Sequence, residues 1–360
     1  MPAMVRSRIA ISNSQPTRVL PHHNLIRMLA ARRPTAGFIA CVGSYSKMDR
    51  AKVCFTAFLF ATVGVGITDS ALAQAWLPPP GEGTLTVTYQ DTLSRGHLYS
   101  DGSRVPGELG HDPVRAHSLV TEVEWGITNR IAVHGAIPFV TARYGGSEPH
   151  SIGVLGHEHI DDGTFHGGSQ DFRFGMRYGL RAGPLAVAPF VEGIVPSRSY
   201  ESLGHSVIGR DLLALVTGVN VGGFLEAVTP GLYFHTQASY AFVESAANIH
   251  PNRTHVNSEL GYFVTPRFAV RLIENLQFTH DGFPFLKDAP PPDLTDPAVL
   301  NLLLNHDRLK QSNFLSFGGG ITFAFTESLN GFLAAGDMVW GQSVPPHRGV
   351  SAGVSWALRP

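Results

Sequence analysis

The sequence predicts an all-β chain that closes into a membrane-spanning barrel, and three features carry that prediction. Apolar and polar side chains alternate over about twelve segments, the connections between segments alternate long and short, and aromatic residues gather at segment ends. The composition narrows the field further. Of 360 residues, 43% are hydrophobic and 15% charged, whereas disordered chains combine low hydrophobicity with high net charge. Beyond residue 73 no apolar run approaches the ~20 residues of a spanning helix. A net charge of -1 gives no electrostatic footprint for nucleic acid.

The first 73 residues differ from the rest. They hold nine Lys+Arg against two Asp+Glu, leaving 18 against 26 downstream, and both cysteines, Cys41 and Cys54, lie in this stretch. From Met48, Arg50 and Lys52 precede an apolar run, Val53 to Ile67, which leads to Ala71-Leu72-Ala73. This is the layout of a secretory signal peptide. The expected organisation is an extension at 1–47 upstream of a start at Met48, a signal peptide at 48–73, and a barrel at 74–360 that begins at Gln74.

The strands are expected at 83–90, 115–125, 130–140, 170–178, 185–195, 210–222, 231–243, 254–264, 267–279, 313–325, 329–340 and 347–358. Successive strand side chains point to opposite faces. In the fourth segment Phe172, Phe174, Met176 and Tyr178 therefore oppose Asp171, Arg173, Gly175 and Arg177. In the ninth, Phe268, Val270, Leu272, Leu276 and Phe278 oppose Ala269, Arg271, Asn275, Gln277 and Thr279, with Glu274 a misfit on the apolar face. In the last, Val350, Ala352, Val354, Trp356 and Leu358 oppose Gly349, Ser351, Gly353 and Ser355. The segments near 185 and 210 alternate least clearly.

Connections after odd segments are long and those after even segments short, such as Thr265-Pro266 and Thr326-Glu327-Ser328. Outer-membrane barrels have short periplasmic turns and longer outer loops. Trp125, Tyr178, Tyr262, Phe268, Phe325 and Trp356 fall at short-turn ends; Tyr144, Tyr240, Phe242, Phe278 and Trp340 fall at long-loop ends. Rings at both levels form the two girdles of a membrane barrel. A soluble sandwich or lipocalin-like barrel would turn the apolar face inward, but it gives the banded aromatics no purpose. The expected location is the cell outer membrane, with membrane lipid and the barrel-insertion machinery as partners and no nucleic acid.

The phrases Trp125 to Phe139, Gly167 to Tyr178, Glu259 to Leu272 and Gly349 to Trp356 together resemble the meta-pathway of phenol degradation family of transporter-like outer-membrane barrels. The likeness covers about 115 to 358. It implies a porin-like transport role for small, aromatic or hydrophobic solutes. Two departures stand out: Pro196-Ser197 replaces the family's P-x-G, and the chain closes on Leu358-Arg359-Pro360 where many barrels end in an aromatic residue.

The expected pore-lining groups are Glu122, Glu124, Arg130, His134, Arg173, Arg177, Glu259, Arg271 and Asn275, with Asp171 on the same face. Rings of charge set selectivity in pores, although opposite charges in a narrow lumen can equally pair with one another. Twelve strands lie between the filled eight-stranded barrel and the open sixteen-stranded one, so a narrow or plugged passage is expected. The glycine-rich loop 145–169 carries His157, His159 and His166, imidazoles of the kind that bind Zn, Cu or Ni; a solvated loop is the plainer expectation. Gly349-Val-Ser-Ala-Gly353 matches a hydrolase string that has meaning only at a strand-to-helix turn. A barrel lipase using Ser351 is thus a minor alternative, after a structural or surface-interaction barrel without transport. No enzymatic activity and no cofactor are expected. In 288–304, Asp296 is placed to cap a short helix running to Leu304.

Overall fold

The computed structural model describes residues 75–106, 112–146, 160–182, 184–288, 293 and 295–359. The expected extension and signal peptide lie outside these residues. The strands are β1 (Gly83–Arg95), β2 (Pro113–Gly126), β3 (Ile131–Tyr144), β4 (His166–Ser169), β5 (Phe172–Tyr178), β6 (Leu180–Ala182), β7 (Leu185–Val195), β8 (Ala214–Phe224), β9 (Leu232–Val243), β10 (Arg253–Thr265), β11 (Phe268–Thr279), β12 (Asn313–Ala324), β13 (Leu329–Gln342) and β14 (His347–Leu358). Two short helices, α1 (Pro297–Leu304) and α2 (His306–Leu309), interrupt the connection between β11 and β12.

Each strand pairs antiparallel with its neighbours, and β1 joins both β2 and β14, so the sheet closes. β4, β5 and β6 are successive pieces of one stave: β4 and β5 pair with β3, and β5 and β6 pair with β7. The result is a twelve-stranded barrel. The stave breaks at Gln170-Asp171, where these side chains serve the loop between β7 and β8 instead. Gln170 donates to the Ile208 carbonyl at 2.6 Å, and Tyr200 donates to Asp171 at 2.5 Å. The same loop shortens β8. Arg210 to Leu213, expected as strand, stay outside it because Asp211 adopts a left-handed φ of 50°, which ends extended pairing.

The apolar face points outward. Leu119, Ile137, Phe139, Phe174, Val354 and Trp356 are exposed on the wall, whereas Thr88, Asn220, Ser316 and Ser355 are buried inside. In a membrane every backbone polar group must be satisfied within the protein. Closure does this for the sheet, and the outward apolar groups need only lipid. Tyr144 departs from its expected place in the outer girdle. It shares the inward face of β3 with Ala132 and Ala142, is 1% exposed, and stacks on His205 with centroids 4.4 Å apart.

Two devices hold the interior together. Small residues sit opposite large ones: Gly261 pairs with Tyr233, whose ring covers it, and Gly320 pairs with Arg271. At the outer end, the long connections lock into one another. Asp161 accepts the backbone N–H groups of His205 and Ser206. Arg210 donates to the carbonyls of Arg308 and Lys310, while Arg308 donates back to those of Arg210 and Asp211. Asp296 accepts from Ala298 N–H at 2.8 Å and caps α1 as expected; α2 is bound to the β7–β8 loop, with Asp307 accepting from Gly204 N–H.

Candidate functional site in the barrel lumen

Alternation sends Glu122 and Glu124 of β2, His134 of β3, Arg173 and Arg177 of β5, Glu259 of β10, and Arg271 and Asn275 of β11 to the interior. There they meet in pairs. Glu124 is in ion-pair contact with Arg177, and His134 Nε2 lies 2.8 Å from Glu192 Oε2. Arg271 donates to Glu259 at 3.0 Å, and Tyr233 donates to the other Glu259 oxygen at 2.6 Å. The Arg271 guanidinium also sits 5.6 Å from the centroid of the Phe332 ring.

These pairs divide the lumen. A central cavity of about 230 Å³ is lined by Glu122, His134, Arg173, Arg177 and Glu192, with Asn220, Gln237, Arg253, His255 and Asn257. A second, of about 170 Å³, lies toward the short-turn end and is lined by Glu124, Tyr233, Glu259 and Phe263 together with Trp76 to Pro79. Glu124 faces one cavity and its partner Arg177 the other, so this ion pair stands between them. Each space has room for several water molecules.

The segment before β1 closes the short-turn end. Ala75 is 3% exposed, the Trp76 ring lies 5.6 Å from that of Phe224, and Gly81 N–H donates to the Gly126 carbonyl at 2.8 Å. Gly222 and Gly126 allow this approach. A Cβ on Gly222 would lie 2.8 Å from the Trp76 ring, and one on Gly126 would strike the Pro79 carbonyl.

One expected lumen residue is elsewhere. Arg130 lies in the turn between β2 and β3, exposed, with its guanidinium 3.3 Å from the Tyr178 hydroxyl on the outer wall. It follows Asn129 in a four-residue turn and therefore has no strand face to direct it inward. Asp171 sits at the break in its stave and serves the loop through Tyr200. Glu192, Asn220, Tyr233, Gln237, Arg253, His255 and Asn257 were not expected in the site. All lie on β7 to β10, which include the poorest alternation, but Glu192 as the single charge in an apolar strand and the 253/255/257 polar series carried the signal.

Of the histidines in loop 145–169, His157 and His159 lie outside the described residues. His166 is used locally, with Nε2 2.8 Å from Asp162 Oδ1. This contact, with bonds from Thr164, holds the Asp162 carboxyl well below the usual range. Among the described residues no group of three His, Cys, Asp or Glu is arranged for a metal. Ser351 lies mid-strand in β14 and is 3% exposed, so the Gly349–Gly353 string supplies no strand-to-helix turn.

The closed sheet, the outward apolar wall and the polar interior define an outer-membrane β-barrel. No protein-family model and no curated protein matches the sequence. Among solved structures, a COG4313 outer membrane channel from Pseudomonas putida F1 superposes with a TM-score of 0.60 at 9% identity, over 81% of this chain and 100% of that one. The NanC porin gives 0.42 at 11% identity, over 76% of this chain and 98% of that one. The first likeness establishes a shared barrel fold.

Proposed function

We propose that the barrel is a narrow channel or transporter for small solutes of aromatic or hydrophobic character. The carrying observation is the pair of adjoining lumen cavities divided by the Glu124–Arg177 ion pair, with the second cavity walled partly by Trp76, Leu77, Pro78 and Phe263. Charged pairs stand along the route, and an apolar solute meets ring and proline surface beyond them. The resemblance to the phenol meta-pathway family supplies the solute class, and the channel described for the superposable Pseudomonas protein agrees with passage. Of the expected pore-lining residues, Glu124, His134, Arg177, Glu259 and Arg271 act here as a gate of paired charges rather than as an open charged ring.

Conductance of the refolded barrel in planar bilayers tests this reading, with and without phenol or toluene. Small unitary currents that aromatic solutes reduce are expected. Silence in every condition, together with no solute entry into proteoliposomes, refutes transport. That outcome favours the second reading, a closed surface barrel, for which the locked outer loops are the supporting observation.

A further inference from the structure

The outer wall carries a feature that passage through the lumen does not use. On β2, β3 and β14, Arg115, Arg143 and Arg348 stand on the outward face near the long-loop end, all exposed. Register aligns them across the sheet: Arg143 opposite Arg115, Arg115 opposite Leu93, and Leu93 opposite Arg348. Neighbouring strands are about 4.8 Å apart, so the three guanidiniums are spread over about 15 Å. A recess of about 490 Å³ lies between Arg115 and Arg348, floored by Ala335, Gly336 and Gly349.

Depth fixes what this recess meets. Along β2, ten residues separate Arg115 from Trp125 in the inner girdle. At about 3.3 Å per residue and a tilt of about 40°, they rise about 25 Å, the height of the apolar band. The arginines therefore stand where the hydrocarbon ends and the headgroups of the outer leaflet begin. The next outward level holds Asp91, His117, Thr141 and Val350, and the level below that holds Tyr89, Leu119, Phe139 and Ala352, where acyl-chain contact begins.

The three guanidiniums differ in how far the wall itself engages them. Asp91 takes two bonds from Arg115, at 3.0 and 2.5 Å, and fixes that guanidinium with Nη1 unengaged among the described residues. Arg143 lies 5.0 Å from the Phe165 ring centroid, and Arg348 has no hydrogen bond or ion pair among the described residues. Asp337 at the recess edge leaves the group with an excess of one positive charge. The wider barrel, by contrast, is acidic. Guanidinium forks match phosphate oxygens bidentately, and a cationic cluster at headgroup level is a lipid-recognition surface.

We infer that Arg115, Arg143 and Arg348 form an outer-leaflet site for a phosphorylated glycolipid, with the phosphates on the guanidiniums and the acyl chains against Tyr89, Leu119 and Phe139. The experiment is thermal unfolding of the purified full barrel in detergent, titrated with bisphosphorylated lipid A, its dephosphorylated form, or inorganic phosphate. The phosphorylated lipid is expected to raise the melting temperature, and neither other addition to do so. In Arg143→Gln/Arg348→Gln the apparent affinity should fall about tenfold or more, with heat-modifiable gel mobility showing that the variant is folded. Equal stabilisation by dephosphorylated lipid or by free phosphate overturns the site, as does unchanged affinity in the variant. Should the double variant fail to fold, the wild-type comparison decides, with the Arg348→Gln single variant as the second arm.

Discussion

Buried charge in this lumen is tolerable only because it is paired. Glu259 is 5% exposed and takes bonds from both Arg271 and Tyr233. Removing one member of such a pair leaves an uncompensated charge and costs about 3–5 kcal/mol, whereas replacing both with apolar groups can be neutral. Arg271→Ala is therefore expected to lower the urea midpoint of the barrel sharply, and Glu259→Met/Arg271→Met to recover much of the loss; equal losses in the two would contradict pairing as the cause. Gly261 tests packing at the same place. A Cβ there would stand 2.1 Å from the Tyr233 ring, so Gly261→Val should destabilise by about 1–3 kcal/mol and dislodge the Tyr233 hydroxyl from Glu259, which near-ultraviolet circular dichroism would report.

At the scale of elements, the two ends of the barrel are closed by different means. Trp76 to Pro79 narrow the short-turn mouth from inside, so deleting residues 75–79 is expected to raise single-channel conductance several-fold; an unchanged current would show that the passage avoids this mouth. The outer end depends on loop-to-loop bonds. Arg210 is partly buried among these loops, and that burial lowers its pKa to about 9. Removing the Asp161 acceptor with Asp161→Ala frees the N–H groups of His205 and Ser206, and limited proteolysis should then cut within 196–213 much faster than in the wild type. The corner at Asp162 has a defined pH response. Its folded pKa lies below the ordinary Asp value of about 3.9, so its contribution is complete above that value and is lost as pH falls through the depressed range. Thr164 amide protection should follow that sign and stay unchanged from pH 5 to 8.

The whole molecule behaves as one closed wall. Because β1 pairs with β14 along twelve residues, the first and last strands leave no open seam, and unfolding is expected to be cooperative. The barrel should run faster on an unheated detergent gel than after boiling. Twelve staves enclose a space that side chains partly fill, which explains two small cavities in place of a wide pore. Outward arginines at one rim and aromatic residues at both ends then set the height at which the wall sits in lipid.

Period-two alternation by itself determined the strands, their inward and outward faces, and the order of long and short connections. β14 is the plainest case, running over the expected 347–358 with Val350, Val354 and Trp356 outward. It did so because a strand's two faces are written in consecutive residues, and because lipid on one side and water on the other demand opposite chemistries. Glu124, Arg177, Glu259 and Arg271 were visible as inward charges for the same reason. Which charge meets which was not, since Glu124 and Arg177 are partners across two strand pairings that local pattern does not encode. Nor could alternation place Arg130 in its turn, draw Trp76 beneath the barrel, or turn Tyr144 toward His205. Those outcomes depend on closure, which brings groups distant in the chain into one confined space where size and charge must be matched at once.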